Sequence, residues 1–517
     1  MKPHRITSGT RLARNATLHF MTEIGIFLIL LGTMPRVVHA LGTTLFGLFT
    51  LAWVILNYLS FFDVGVSSAT TKFLAEHLAR GETEEGATLV RTSAAINFLL
   101  GALSGLVLFA IAPLLVRHAF KIPPEMERES IRMFWFVAAA IPVLLVQGVC
   151  RSVVISLQRF GWNSSIRLGA QALQWGLILV AALRGFHIST IVAMALFARI
   201  CSVLAYVAVI GRIFPPIVGH LHADFSLWRR LLGFGGWVSV SQLATPLLVY
   251  LDRVLLASFA GLAAVSLYSV PFEAVTRLRI LPASMVATLF PAFSERTTHS
   301  DTNAVSRLYS EAVRYLALLL LPCFGFLIVF GPEVLRLWMG AQFAAQAGLV
   351  MRLVALGALL NAFAYIPRVA LQGTGRPDLT AKIYLIEVPV YLAACVFLIQ
   401  RFGVVGAAWA AIFRFGLDSA LLYGAADRFT RCTLRSVWER GIVPVALSAV
   451  ALNLGFMIVR RLPGSHIVHL TEAVALGVAY LPLAWWFVLD DQDKPFIRRV
   501  LNVFKVQPLA RAAGSAE

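Results

Sequence analysis

The 517 residues are 59% hydrophobic and only 14% charged, with a mean hydropathy of +0.80. That balance excludes an ordinary soluble domain and defines a polytopic membrane protein. The formal charge of +18 points first to nucleic acid. Basic residues of an integral membrane protein, however, gather in cytoplasmic loops and against anionic lipid, and no single basic patch remains here, so no nucleic-acid partner is expected.

Lys2, Arg5, Arg11 and Arg14 precede the first apolar run, and Val38-His39-Ala40 resembles a cleavage site. Glu23 interrupts that run and Pro35-Arg36 lies where a short signal core would already have ended, so the run is read as a retained span. Runs of about 20 apolar residues are long enough to cross a bilayer as helices. They predict fourteen spans, near 17–35, 44–62, 93–116, 133–155, 168–183, 190–210, 234–257, 262–290, 315–331, 348–371, 381–399, 404–424, 442–459 and 471–489.

An even number of spans puts both termini on one side. With cytoplasmic termini, 30 of the 44 arginines and lysines fall in inner regions, 10 in outer regions and four within spans, namely Arg199, Arg253, Arg352 and Arg414. The bias predicts cytoplasmic ends, with residues 425–441 inside and 117–132 outside.

The predicted fold class is all-α and polytopic, with two six-helix lobes and two further C-terminal helices. The expected divisions are a cytoplasmic N-terminus 1–16, an N-terminal lobe 17–210, a linker 211–233 and a C-terminal lobe 234–424. A cytoplasmic loop with the two added helices follows over 425–489, then a basic tail over 490–517. Internal repetition supports the two lobes: Gly42 to Glu76 and Gly261 to Glu295 both span 34 residues from an outer turn through one crossing. Leu157-Gln158 matches Leu371-Gln372, Arg184-Gly185-Phe186 matches Arg401-Phe402-Gly403, and Arg199 matches Arg414 in order. Parallel halves of this kind place a transport site between them.

Ionisable residues inside spans are costly and usually face a protein interior or a watery path. Asp252 and Arg253 stand side by side in the seventh span, and Glu273 and Arg277 share a helical face in the eighth, between Pro271 and Pro282. Arg36, Arg199, Arg253 and Arg414 are the candidate cavity cations. Three of them have a structural alternative: snorkelling for Arg36, pairing with Asp252 for Arg253, and neutralisation by Asp418, one turn on, for Arg414. Glu23, Asp63, Asp252, Glu273 and Glu387 are the candidate coupling or gating residues. Glu23 and Glu387 read as isolated carboxylates, and Asp63 as a helix-end or gate residue.

His39, His118 and His187 fall at outer span ends, as interfacial residues rather than metal ligands. Cys150, Cys201, Cys323, Cys395 and Cys432 form no Cys-x-x-Cys pair and read as small core residues. There is no Gly-rich phosphate loop, His-Glu-x-x-His helix or nucleophile elbow. No catalytic residue, cofactor or metal is expected.

The sequence resembles the polysaccharide, or O-antigen, flippases of the multidrug/oligosaccharidyl-lipid/polysaccharide exporter superfamily. The matching stretches are Pro35-Arg36-Val37-Val38-His39-Ala40-Leu41-Gly42 with Phe46-Gly47-Leu48, and Asp63-Val64-Gly65-Val66 with Phe73-Leu74-Ala75-Glu76. Further on come Leu232-Gly233-Phe234-Gly235, Leu251-Asp252-Arg253-Val254-Leu255-Leu256, Tyr268 and Phe290-Pro291-Ala292-Phe293-Ser294-Glu295. Gln372-Gly373-Thr374-Gly375-Arg376-Pro377 and Phe402-Gly403-Val404-Val405-Gly406-Ala407-Ala408 complete the series.

The resemblance implies a V-shaped pair of six-helix lobes around a central cavity in the bacterial inner membrane. It implies an undecaprenyl-pyrophosphate-linked oligosaccharide as cargo, membrane lipids as surroundings, and a polysaccharide polymerase and glycosyltransferases as partners. A cation-coupled drug exporter of the same superfamily is the transporter alternative, which predicts a compact acidic pocket. A membrane glycosyltransferase or polymerase is the enzymatic one.

Overall fold

The computed structural model describes residues 9–63, 65–218, 224–229, 231, 248–283, 289, 302–430 and 434–487. Among these residues the secondary structure is helical, without strands. The motifs at 232–235 and 290–295, Val64, Cys432, part of the linker and the tail lie outside them.

Helix α1 runs over Gly9–Leu59 and contains Gly42 at φ 75°, ψ 167°. A straight helix of 51 residues would be about 77 Å long, far beyond a hydrocarbon core of roughly 30 Å. Gly42 breaks it in a conformation that only glycine adopts freely. Phe27 before the break and Trp53 after it line one cavity, so the chain doubles back there. Gly261 (φ 88°, ψ 173°) and Gly340 (φ 90°, ψ 165°) repeat this backbone state at later turns.

The N-terminal lobe continues with α2 (Val66–Arg80), α3 (Thr83–Leu114), α4 (Glu127–Ser156), α5 (Phe160–Leu183) and α6 (Ile188–Ile213). The C-terminal lobe contains α7 (248–259), α8 (Leu262–Thr276), α9 (Thr302–Met339), α10 (Ala341–Phe363), α11 (Tyr365–Gly373) and α12 (Pro377–Thr430). Helix α12 breaks at Gly403 as α1 does at Gly42. The added helices are α13 (Val443–Arg461) and α14 (His466–Phe487).

Among the described residues 10 helices are long and apolar enough to cross a membrane. Two of them, α1 and α12, each hold two crossings, and α7 and α8 carry the described parts of the seventh and eighth. The protein is thus the multi-pass, fourteen-helix molecule that hydropathy predicts. In the N-terminal lobe α4 packs on α3 and α6; in the C-terminal lobe α10 packs on α9 and α12, the same pairing one repeat later.

Several boundaries differ from the predicted spans. Helix α3 begins at Thr83 rather than near 93, and α9 extends over Thr302–Met339 rather than 315–331. Hydropathy marks the part of a helix that lipid selects, not the polar turns that extend it. Helix α2 lies between the second and third predicted spans: it is a polar helix bracketed by left-handed Gly65 (φ 73°) and Gly81 (φ 80°). Asp63 anchors its first turn, accepting from the Ser67 N–H (3.2 Å) and Oγ (2.9 Å), while Asn97 Nδ2 of α3 donates to the same carboxylate at 2.5 Å.

Close helix approach in α3 and α4 is set by Gly101 and Gly105, a small-xxx-small pair of the kind that lets membrane helices pack closely. A methyl at 101 would lie 2.5 Å from Pro142 Cα, and one at 105 would lie 2.5 Å from the Ala138 carbonyl oxygen. Helix α13 is tied to α9 by Arg460 and Glu333 at 2.8 Å. Cys150 and Cys395 are buried, and Cys201 and Cys323 half-buried, within the helices.

Candidate functional site: a cationic, aromatic cavity between the lobes

A cavity of about 250 Å³ opens where α1, α5 and α6 of one lobe face α7 and α8 of the other. Phe46, Phe49, Trp53 and Trp175 form the N-terminal wall. Phe49 stacks on Trp53 at 5.2 Å between ring centroids and meets Trp175 edge-on at 6.3 Å. Among the described residues the charged lining consists of Arg199, Arg253 and Arg277 against one carboxylate, Glu273.

Arg253 is 2% exposed, and its immediate neighbours in sequence and space explain how it is tolerated there. Asp252 Oδ1 accepts from the Arg253 backbone N–H (2.8 Å) and Nη1 (3.2 Å), and Nη1 also donates to the Val249 carbonyl at 2.7 Å. The other Asp252 oxygen accepts from the hydroxyls of Tyr268 (2.5 Å) and Tyr391 (3.3 Å). The guanidinium also lies over the rings of Phe272 (4.4 Å), Tyr268 (5.5 Å) and Tyr250 (5.7 Å), where ring quadrupoles favour a cation. Asp252 is therefore a saturated structural counter-ion. Nη2 of Arg253 is buried without a hydrogen-bond partner, and Glu273 Oε1 lies 3.8 Å from it.

Glu273 is 43% exposed, and its second oxygen lies 3.4 Å from Nη2 of Arg277. Both separations are too long for good hydrogen bonds. Arg199, opposite on α6, donates Nε to Gln174 Oε1 at 3.1 Å and lies 5.9 Å from the Trp53 ring. Sequence reasoning left Arg277 out of the candidate cavity cations; the structure makes it the third one, because the face that carries Glu273 carries Arg277 one turn later. The aromatic wall was also missed, since hydropathy does not tell a cavity-facing Phe or Trp from a core one.

Other predicted residues lie elsewhere. Arg36 is exposed and returns Nη1 to the Gly32 carbonyl of its own helix at 3.0 Å; it is not among the cavity-lining residues. Arg414 is also outside that lining: its Nη1 donates to the Leu248 carbonyl and its guanidinium lies over Phe415 (4.4 Å) and Tyr391 (5.1 Å). Asp418 pairs with Arg368 at 2.7 Å, and not with Arg414. Helical spacing predicted the wrong partner because α11 brings a cation directly against the acid. Glu23 is not isolated, for Arg167 of α5 pairs with it at 2.6 Å. Glu387 is 1% exposed beside Asp418, inside the C-terminal lobe and away from the cavity.

Asp63 belongs to a second cavity of about 320 Å³ within the N-terminal lobe, shared with Ser67, Thr71, Arg151 and Ser152. Burial raises its carboxyl above the ordinary carboxylate range, against the opposing pull of the Asn97 and Ser67 hydrogen bonds. Among the described residues this cavity touches one lobe alone, whereas the cationic cavity is built from both.

At the Gly42 end the two lobes meet closely. Gly47 faces the Leu262 carbonyl with no room for a Cβ, Lys121 N–H and Nζ donate to the carbonyls of Ala257 (3.0 Å) and Phe259 (2.7 Å), and Trp338 Nε1 donates to Leu31 at 2.8 Å.

Two helical lobes that clasp a charged cavity define a protein of the polytopic transporter class. The chain matches the polysaccharide biosynthesis protein family over residues 12–297 and belongs to that family. A Shigella flexneri protein assigned as an O-antigen transporter is 26% identical over 396 residues, covering 76% of this chain and 93% of the relative. In fold the chain is similar to the lipid II flippase MurJ in an inward closed conformation, with a TM-score of 0.70 at 12% identity over 92% of this chain and 98% of that one. It is also similar to an inward-facing multidrug resistance MATE family transporter of the MOP superfamily, with a TM-score of 0.61 at 15% identity over 85% and 98%.

Proposed function

We propose that the protein is a flippase that turns an undecaprenyl-pyrophosphate-linked oligosaccharide from the cytoplasmic to the periplasmic leaflet of the bacterial inner membrane, for surface polysaccharide assembly. The observation that carries this reading is the inter-lobe lining of three guanidiniums, one carboxylate and an aromatic wall. A diphosphate does not cross hydrocarbon unpaired, because burying an isolated charge is prohibitive. Arginine supplies a permanent cation and a planar fork for phosphate oxygens. Aromatic faces at Phe49, Trp53 and Trp175 offer stacking surface to sugar rings, while the prenyl tail stays in lipid.

In this reading the Gly42 end is periplasmic and closed, both termini are cytoplasmic, and cargo enters from the cytoplasmic side before the lobes rock open. The lipid-linked product passes to a polysaccharide polymerase, and glycosyltransferases supply the cargo. A drug exporter would favour an acidic lining for cationic compounds; here cations outnumber acids among the described lining residues.

The test is translocation by purified protein in liposomes loaded with undecaprenyl-pyrophosphate oligosaccharide on one leaflet. The proposal expects the glycan to become accessible to an impermeant glycosidase on the opposite face, with the lipid-linked molecule intact. Exclusive retention on the starting leaflet, or extension or transfer of the glycan by the protein alone, would count against it.

A further inference from the structure

We infer that Glu273 is a resident counter-ion standing where the cargo's phosphate goes, and that cargo binding works by displacing it. This inference rests on the flippase reading of the same cavity. Three observations meet at Glu273. Among the described residues it is the sole carboxylate that lines the cavity; it faces Arg253 Nη2 at 3.8 Å and Arg277 Nη2 at 3.4 Å; and its side chain is 43% exposed.

The arginines it faces are not otherwise placed alike. Arg253 has spent Nη1 on Val249 and Asp252, and Asp252 already accepts from two tyrosines, while Nη2 of Arg253 is buried and unpartnered. A guanidinium N–H withdrawn from water without an acceptor is unfavourable, and Glu273 relieves it only through charge, at a distance beyond hydrogen bonding. A phosphate group has more acceptor oxygens than a carboxylate and satisfies forked donors better. It can take the Nη2 hydrogens of Arg253 and Arg277 together, and Glu273, already partly in water, swings away at small desolvation cost.

Two functional consequences follow. In the empty cavity Glu273 screens mutual repulsion among Arg199, Arg253 and Arg277 and discourages small adventitious anions from occupying the site. On the far side of the membrane it competes for the arginines and helps release the diphosphate. Glu273 thus sets selectivity and turnover without contacting cargo in the bound state.

The probe is geranyl pyrophosphate, a soluble prenyl diphosphate, titrated calorimetrically into the purified full-length protein. Glu273→Gln should bind it roughly fivefold tighter or more, the change that loss of a partly exposed competing ion pair sets. The same variant should show a lower KM and a lower turnover in liposome translocation, a split that a merely structural role does not produce. Without ligand its melting temperature should fall, and saturating ligand should raise it by more than in the parent. Should Glu273→Gln fold poorly, Glu273→Asp keeps the charge but retracts it from Arg253, and should give a smaller tightening in the same direction. Binding that is unchanged or weaker in both variants, with Arg277→Gln still weakening the parent site, overturns the counter-ion role and leaves the cationic cavity standing. No binding by the parent, together with no effect of Arg277→Gln on translocation, overturns both.

Discussion

Trp338 donates its indole N–H to the Leu31 carbonyl at 2.8 Å, across the boundary between the lobes. The carbonyl is free because the residue four positions on is Pro35, which has no N–H to return to it. A helix-breaking residue thus creates an acceptor in one lobe for a donor in the other. Trp338→Phe keeps the ring and removes the donor, and should weaken the closed Gly42 end by about 1 kcal/mol. In a cysteine-free background, a cysteine at Thr43 should then react faster with an impermeant maleimide. Equal rates in the two proteins would show that the latch does not hold this end shut.

Lys121 offers a second handle on the same contact, since its amine reaches the Phe259 carbonyl at 2.7 Å. If the lobes separate here in each cycle, a short bifunctional thiol reagent joining Lys121→Cys and Phe259→Cys should arrest glycan export, and cleavage of the linker should restore it. Normal export by the fully cross-linked protein would mean that this end stays closed throughout transport.

Glu23 and Arg167 pair at 2.6 Å with side chains 22% and 26% exposed. Glu23→Gln leaves a half-buried cation unmatched and should cost on the order of 1 kcal/mol, read as a lower melting temperature. Combining it with Arg167→Gln should recover most of that loss and most of the export. A double variant that regains stability but stays inactive would instead assign Glu23 to proton coupling.

Glycines separate into two classes by what surrounds them. Gly105→Ala would drive a methyl against the Ala138 backbone and should destabilise by about 1–3 kcal/mol. Gly176→Ala and Gly32→Ala meet nothing within 4 Å and should leave the melting temperature within a degree or two of the parent's or raise it. Comparable losses in all three would contradict the close α3–α4 approach.

The crossings were legible because lipid imposes length and apolarity on every span. So was the pairing of Asp252 with Arg253 and of Glu273 with Arg277, because neighbours along one helix need no tertiary knowledge. Partners from other helices were not legible. Asp418 meets Arg368 of α11, Glu23 meets Arg167 of α5, and Arg414 meets the Leu248 carbonyl. These contacts depend on helix rotation, which a uniformly apolar pattern leaves undetermined. Helix α2 was missed for the opposite reason: it is too polar to register as a span, and only Gly65 and Gly81 at its ends hint at its limits. The count of inner arginines also includes Arg277, which lines the cavity between the lobes, and Arg368, which pairs with Asp418 inside the C-terminal lobe.

The central claim is that Arg199, Arg253 and Arg277 offset the diphosphate charge during passage. The direct measurement is periplasmic glycan per folded transporter for Arg199→Gln combined with Arg277→Gln, with Arg253 left in place to preserve its bond to Asp252. Gln keeps much of the volume and none of the charge, so export should fall at least about tenfold while the amount of folded protein changes little. The corresponding double Lys variant should retain part of the activity, because it keeps the charge but loses the fork. Full export by the double Gln variant, at normal protein level, would contradict the cationic-cavity mechanism.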